Sequence, residues 1–214
     1  MRQFFAAPKN RGFQFLIPTL TWYTLKKKST IRGKQLPMDL AVTSLHISCF
    51  LSPGPDGIHP TLLRACASSL KTPLAMIYEE SLKTGCLPPD WKKTNITPIH
   101  KSGKKNNASN YRPINLCSVP AKLMEGLVKD EVLRHLIDNE LILSSQHGFL
   151  PGKSCTSNLL SYMNEVTAAL DKGISFDVIM IDFRRAFDLV PFEHMLKKLE
   201  AHGIVGDVLR WITD

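Results

Sequence analysis

The sequence predicts a mixed α/β (α+β) fold in which an incomplete antiparallel sheet is packed by helices. Three observations predict this class. Apolar residues recur at helical spacing over residues 60–84, 118–140 and 152–173. Two strand-like stretches flank a polar loop within residues 94–116. An apolar run, "FDVIMIDF" at 176–183, indicates a further, buried strand, and two short helices over 192–203 and 206–214 complete the chain.

Proline, glycine and serine set the predicted boundaries of these elements. "SPGPDGIHP" at 52–60 places three prolines and two glycines in nine residues, which predicts a turn-rich and fairly rigid loop. Pro73 is predicted to split the segment 60–84 into two helices, and Gly85 to end the second. Ser118 and Pro120 are predicted to open the helix of residues 118–140.

The charge and the cysteine content of the chain indicate which partners and which cellular environment to expect. The chain has 27 Lys and Arg against 19 Asp and Glu, a net charge of +8, which favours a polyanionic partner such as nucleic acid without requiring one. The five cysteines form no CxxC pair or zinc-spaced cluster, so reduced thiols in an intracellular protein are expected, in either cytoplasm or nucleus. The apolar stretch "FQFLIPTLTWYTL" is too short to span a bilayer, and no membrane partner is expected.

Residues 1–44 remain unassigned by these patterns. Residues 1–38 contain eight Lys and Arg and no acidic residue, without periodicity or capping signals. Such a segment is typical of a nucleic-acid-binding arm or a weak targeting sequence. Disorder is the simpler interpretation and the one that we favour.

The predicted hairpin over 94–116 is strongly basic. Six Lys or Arg and no carboxylate lie between Trp91 and Arg112. Lys104 and Lys105 have the composition of a solvated loop tip. Lys101 and Arg112 lie instead at the strand ends. There the compact ammonium charge of the lysine and the planar, two-pronged guanidinium of the arginine could together hold a polyphosphate. A solvated loop without a ligand is the alternative.

Asp182 follows the apolar strand in "VIMIDFRRAFDLV", residues 178–190. A carboxylate at a strand end is well placed to bind a metal ion, and nucleotidyl transfer commonly uses Mg²⁺ bridged by aspartates. The alternative is a helix N-cap, since Asp182 could accept N–H groups of the following turn. Asp188 lies six residues further on, a spacing that would not place it on the same face of a helix as Asp182. We therefore interpret Asp188 as a cap or as an ion-pair partner of Arg184 or Arg185.

Five segments taken together resemble the reverse transcriptases of non-LTR retrotransposons, the jockey-like and long-interspersed-element group. They are "SPGPDGIHP", "LPPDWKKTNITPIHK", "NYRPINL", "SSQHGFLPGKS" and "VIMIDFRRAFDLVP". The resemblance covers about residues 45–214 in the order of that family. It implies the fingers of a right-hand polymerase over 45–175 and the start of its palm over 176–214.

The resemblance also implies roles for individual residues. Lys101 and Arg112 correspond to the pair that binds the triphosphate of the incoming nucleotide. Asp182 corresponds to the first catalytic, metal-binding aspartate, and the backbone carbonyl of Phe183 to a further metal contact. Phe187 corresponds to the aromatic that excludes a 2′-hydroxyl, a core phenylalanine being the alternative. Positions matching a block near the template and primer are Gln146, Gly148 and Phe149, although Leu150 and Cys155 depart from that block.

The implied activity is that of an RNA-directed DNA polymerase, with two Mg²⁺ ions, an RNA template, a DNA primer and a dNTP; no protein partner is implied. In such a site Mg²⁺ would neutralise the carboxylate at the strand end. The family's second aspartate pair, of the type aromatic-x-Asp-Asp, occurs nowhere in the 214 residues, so we expect this chain alone to be inactive. The alternatives are a non-catalytic nucleic-acid-binding module and a pseudogene-like product that does not fold alone.

Overall fold

The computed structural model of the protein describes residues 3–8, 30–31, 52–182 and 189–214. Within these ranges the chain forms six α-helices and two antiparallel pairs of strands. In chain order the elements are β1 (Gln3–Pro8), α1 (Pro60–Ala65), α2 (Ala67–Thr84), β2 (Asn95–His100), β3 (Tyr111–Leu116), α3 (Val119–Asp138), α4 (Cys155–Asp171), β4 (Phe176–Ile181), α5 (Phe192–Ala201) and α6 (Asp207–Thr213). The predicted mixture of helices with small antiparallel sheets is confirmed. None of the helices in these ranges combines the length and apolar character needed to cross a lipid bilayer.

The chain divides into two compact units. The hairpin unit comprises Ser29–Asp138 and Leu196–Asp214, and the β4 unit comprises Met1–Lys28 and Asn139–Met195. The pair β2–β3 belongs to the hairpin unit, and the pair β1–β4 to the β4 unit. The division into 1–44, 45–175 and 176–214 follows the regions of a polymerase and stays a prediction.

The hydrophobic core of the hairpin unit is formed mainly by residues of α2, α3 and α6, together with Ile31 and Ile204. Tyr78, Met124 and Val208, one from each helix, are at most 1% exposed. The Tyr78 hydroxyl donates a hydrogen bond to the carbonyl of Pro120 at 2.8 Å, which joins α2 to the beginning of α3. Burial raises the pKa of Tyr78 well above its usual value, so the hydroxyl keeps its proton and remains a donor.

The segment 60–84 forms two helices, as predicted, but the break lies at Cys66 rather than at Pro73. Pro73 lies inside α2. A proline has a φ compatible with a helix and removes one hydrogen bond, a loss that burial of the apolar face of α2 offsets. Gly85 ends α2 in the left-handed conformation, with φ of 70°, as predicted.

Serine side chains open the next two helices. The Oγ atom of Ser118 accepts a hydrogen bond from the N–H of Ala121 at 3.2 Å, and Ser118 is fully buried. Ser154 and Ser157 form a reciprocal capping box at the start of α4. The predicted helices of 118–140 and 152–173 are therefore confirmed with slightly shorter bounds.

The β4 unit differs from the sequence predictions in two respects. Residues 3–8, in the segment for which we expected disorder, form β1, because β4 offers a row of backbone groups with which a second strand can pair. The prediction that β4 is buried is wrong: Ile179 and Met180 are 52% and 58% exposed. None of the described side chains of this unit is buried, so they provide no core that could cover the strand.

The loop before α1 is held against the start of α3 at Gly54. A Cβ atom at Gly54 would lie 2.5 Å from the backbone nitrogen of Ser118, so only glycine allows this approach. Within the loop, the N–H of Gly57 donates to the carbonyl of Gly54 at 3.1 Å, and the N–H of Ile58 donates to the Asp56 carboxylate at 3.2 Å. The predicted turn-rich loop is confirmed, and Gly54 fixes it beside the end of β3.

The end of α6 is tied to the segment that follows α2 through Asp214. Its carboxylate accepts a hydrogen bond from the N–H of Leu87 at 2.7 Å and forms a salt bridge with Lys92 at 2.5 Å. The Leu87 N–H and the Lys92 ammonium together lower the pKa of Asp214 below its usual value. This contact anchors α6 at its C-terminal end.

Replacing Gly54 with alanine is expected to destabilise the protein by about 1–3 kcal/mol, because the new Cβ would overlap the backbone of Ser118. Gly57 is the matched control: it has a φ of +68°, and no atom lies within 4 Å of the position that a Cβ would take there. Asparagine tolerates the left-handed conformation, so Gly57→Asn should be nearly neutral, whereas Gly54→Asn should be at least as harmful as Gly54→Ala. Urea unfolding measures both, and a fully stable Gly54→Ala variant would contradict the packing at this site.

Acidification is expected to weaken the attachment of α6. Folding lowers the pKa of Asp214, so its stabilisation is complete above the unfolded value near 3.8 and is lost as the pH falls through the folded value. The wild-type protein should therefore lose more stability than Asp214→Asn between about pH 5 and pH 2. Thermal melts across this range test the expectation, and parallel curves for the two proteins would refute it.

Candidate nucleotide-binding site

The hairpin formed by β2 and β3 carries the candidate site. The strands pair with Asn95 opposite Leu116 and with His100 opposite Tyr111. The N–H of Lys101 donates to the carbonyl of Asn110 at 2.8 Å and extends the pairing by one residue. The predicted order of strand, polar loop and strand over 94–116 is confirmed.

Lys101 and Arg112 lie on the same face of this hairpin. Lys101 is opposite Asn110 and Arg112 is opposite Ile99, so the two cationic residues are diagonal neighbours. Such neighbours are typically about 7–8 Å apart, a separation that two long side chains can bridge onto one ligand. Both side chains are exposed, and neither forms a salt bridge with a residue that the structure describes. This face can therefore present to one anion two positive charges that no described residue neutralises.

The tip of the hairpin is held by hydrogen bonds from three side chains at the strand ends. Asn110 donates to the carbonyl of Lys104 at 2.8 Å, and the Tyr111 hydroxyl donates to that of Lys105 at 2.9 Å. Nε2 of His100 lies 3.1 Å from the carbonyl of Gly103 and donates to it in the corresponding tautomer. Three successive carbonyls are thus satisfied, so the lysine-rich tip has a defined backbone conformation.

The six Lys and Arg residues between Trp91 and Arg112 fall into two groups, according to whether they form a salt bridge with a described residue. Lys92 forms a salt bridge with Asp214, and Lys93 forms one with Asp90 at 2.8 Å. The remaining four form none with the described residues; they are Lys101, Lys104, Lys105 and Arg112. The positive charge that no described residue neutralises is therefore concentrated at the end of the hairpin, away from its base.

Asp182 follows directly after β4 and is exposed to solvent. The strand fixes its backbone position through the pairing of Ile181 with Gln3. Phe183 and Phe187 lie outside the described residues, as does Asp188. Among the side chains that the structure describes, no three His, Cys, Asp or Glu residues gather into a metal site. Asp182 therefore offers oxygen ligands of the right chemistry, but the described part of the chain assembles no complete ligand set.

Gln146, Gly148 and Phe149 lie together in the loop that precedes α4. The Gln146 side-chain amide donates to the carbonyl of Gly148 at 3.0 Å. Phe149 has a φ of +60°, which is unusual for a residue with a side chain, and the residue is 81% exposed. Lys153 closes the loop by donating to the carbonyl of Ser144. The structure brings these three predicted residues into one ordered loop of the β4 unit.

Sequence reasoning did not identify His100, Asn110 and Tyr111 as residues that organise the site. Their side chains stabilise the tip through contacts across the hairpin, three to six residues away in sequence. Polar and aromatic residues at both strand ends, beside "GKK", were the available signal.

Comparison with known proteins places these features in a family. Residues 99–214, more than half of the chain, match the family described as "Reverse transcriptase (RNA-dependent DNA polymerase)". The chain is 29% identical over 150 residues to the probable RNA-directed DNA polymerase from transposon BS of Drosophila melanogaster, covering 70% of this chain and 17% of the relative. It is 28% identical over 187 residues to the RNA-directed DNA polymerase from mobile element jockey of the same fly, covering 87% of this chain and 19% of the relative.

A third relative is the Pol polyprotein of the type-1 retrotransposable element R1 of Bradysia coprophila, at 28% identity over 175 residues, covering 78% of this chain and 17% of the relative. The chain thus spans less than a fifth of the length of the first relatives that it matches. The resemblance to non-LTR retrotransposon enzymes is confirmed, and the family match includes the end of β2, all of β3 and β4. The chain therefore belongs to the reverse transcriptase (RNA-dependent DNA polymerase) family.

Proposed function

We propose that this chain supplies the nucleotide-binding hairpin and one metal-binding carboxylate of an RNA-directed DNA polymerase. The reaction would join a dNTP to the 3′-hydroxyl of a DNA primer on an RNA template. The observation that carries the proposal is the placement of Lys101 and Arg112 on one exposed face without a described counter-ion. Since the reaction needs dNTPs and an RNA template, we place the protein inside the cell.

The two cationic residues would do different work on the triphosphate. The Arg112 guanidinium can donate two parallel hydrogen bonds to phosphate oxygens and so fix their orientation. The Lys101 ammonium is a compact charge on a flexible side chain, so it can approach a phosphate oxygen from more than one direction. In phosphoryl transfer most of the catalytic effect comes from positioning and from stabilising negative charge, and a pair of this kind contributes to both.

Asp182 is proposed as one ligand of Mg²⁺, together with the backbone carbonyl of Phe183. Bound Mg²⁺ would neutralise phosphate charge and lower the pKa of the attacking hydroxyl. The described residues provide a suitable carboxylate but not the full set of ligands, so no reaction step of this chain is derived through the metal. Phe187 is proposed to exclude a 2′-hydroxyl. The loop with Gln146, Gly148 and Phe149 is proposed to lie near the template and primer.

Substitution of the two hairpin cations is expected to weaken dNTP binding about tenfold or more each, because hydrogen bonds to charged groups contribute about 1.5–3 kcal/mol. Arg112→Lys keeps the charge and removes the fork, while Lys101→Ala removes the charge. Isothermal titration calorimetry with dTTP on the purified chain measures the effect. Lys93→Ala is the matched control, because Lys93 already pairs with Asp90, and it should change affinity less than twofold. Equal losses for Lys101→Ala and Lys93→Ala, with no loss for Arg112→Lys, would mean that the hairpin binds only by general charge.

Primer extension by a polypeptide of these 214 residues is expected to be undetectable. The sequence contains Asp182 but no aromatic-x-Asp-Asp, and loss of cooperating groups typically lowers rates by many orders of magnitude. The assay uses an RNA template, a DNA primer, dNTPs and Mg²⁺, with Asp182→Asn as the background. Incorporation above that background would overturn the expectation and show that the described carboxylate suffices.

A second candidate function is RNA binding without catalysis. Four cations at the end of the hairpin form no salt bridge with a described residue, and they favour this function, since polyanion binding by Lys and Arg needs no second aspartate pair. Fluorescence anisotropy with a short RNA separates the two candidates. RNA binding that is sensitive to salt, combined with no dNTP binding, would support the non-catalytic module.

A further inference from the structure

We propose that the opposite face of the β2–β3 hairpin binds single-stranded RNA, with bases stacked on Tyr111 and His100. The inference rests on the proposed function and deepens it, because it assigns the two faces of one hairpin to two ligands. Lys101 and Arg112 would hold a triphosphate on the first face. The second face, which we call the aromatic face, would hold unpaired nucleotides.

The register of the strands defines the aromatic face. Side chains alternate along a strand, so the residues that do not share a face with Lys101 and Arg112 point to the other side. Those residues are Ile96, Pro98 and His100 on β2 and Tyr111, Pro113 and Asn115 on β3. Every residue of β2 is exposed, as are Pro113 and Asn115, and Tyr111 is half-buried. The aromatic face is therefore open to a ligand, and its outer end is aromatic.

The two rings at the outer end are held in place before any ligand arrives. Their centroids are 5.3 Å apart at an interplanar angle of 65°, an edge-to-face contact. The Tyr111 hydroxyl donates to the Lys105 carbonyl, and His100 bonds to the Gly103 carbonyl. Because hydrogen bonds at the ring edges restrict rotation, a base that stacks on either ring would lose little additional side-chain entropy.

Charge around the rings favours a nucleic acid over a protein ligand. Lys104 and Lys105 lie at the tip beside the rings, are exposed, and form no salt bridge with a described residue. No carboxylate occurs between Trp91 and Arg112. Single-stranded nucleic acids are bound by such combinations of aromatic rings for the bases and cations for the phosphates. A duplex fits less well, because its bases are already stacked on one another.

The test measures binding of a labelled oligoadenylate RNA of about 12 nucleotides to the full chain by fluorescence anisotropy. Tyr111→Leu keeps an apolar side chain but removes the flat ring, and it should weaken binding about fivefold to 100-fold. Tyr111→Phe keeps the ring and should retain most of the affinity. Both variants lose the hydroxyl that donates to the Lys105 carbonyl, so their affinities for dTTP should agree with each other within about twofold. A difference between the two variants in RNA affinity then reports the ring alone.

Two further measurements separate stacking from charge. The Tyr111→Leu defect should disappear on an RNA of the same length whose nucleotides are abasic, because that ligand has phosphates but no bases. Lys104→Gln and Lys105→Gln should each reduce the slope of log affinity against log salt concentration by about 0.7, whereas Tyr111→Leu should leave the slope unchanged.

The outcomes distinguish this inference from the proposed function. If the wild-type chain binds dTTP through Lys101 and Arg112 but its RNA affinity is the same in Tyr111→Leu, the aromatic face is not an RNA site and the proposed function stands. The same conclusion follows if the chain binds dTTP but no RNA, or binds an acidic peptide in place of RNA. If the chain binds RNA with the expected dependence on Tyr111 but does not bind dTTP, the proposed nucleotide site fails instead.

Discussion

The antiparallel register of β2 and β3 is the constraint on which the candidate site depends. With Ile99 opposite Arg112, the two cationic residues share one face and the two rings share the other. A shift of the register by one residue would move a whole set of side chains to the opposite face and separate Lys101 from Arg112. Both faces of the hairpin are exposed, so burial of one face does not specify this register. Contacts at the two ends of the hairpin must therefore contribute to it.

Those contacts exist at the tip and at the base. At the tip, three side chains form hydrogen bonds with three successive backbone carbonyls. Each of these hydrogen bonds requires its side chain to be at the right position along the paired strands, so the bonds favour the observed register. At the base, β3 leads directly into the buried Ser118, whose backbone is in contact with Gly54. The base is thereby joined to the core of α2, α3 and α6. The hairpin is short and solvated, yet both of its ends are fixed.

Much of this arrangement was predictable from the sequence, and the exceptions have physical reasons. The helices and the hairpin follow from apolar periodicity and from the polar composition of the tip, which are local signals. The break at Cys66 and the exposure of β4 were not predictable, because they depend on which surfaces other segments cover. The roles of His100 and Tyr111 depend on the register, which no single stretch encodes. The roles of Lys101, Arg112 and Asp182 were suggested by their positions at strand ends and made specific by the family resemblance, and they stay predictions.

The binding and the chemistry that we propose depend on different parts of this chain. Lys101 and Arg112 belong to the hairpin unit, whose core includes fully buried residues such as Met124 and Ile204. Asp182 belongs to the β4 unit, in which no described side chain is buried and the apolar residues of α4 and β4 are widely exposed. A site requires rigid support to hold its ligands, and only the hairpin unit has that support among the described residues. The nucleotide and RNA binding that we propose for the hairpin can therefore persist where the proposed catalysis, which requires a well-positioned Asp182, does not.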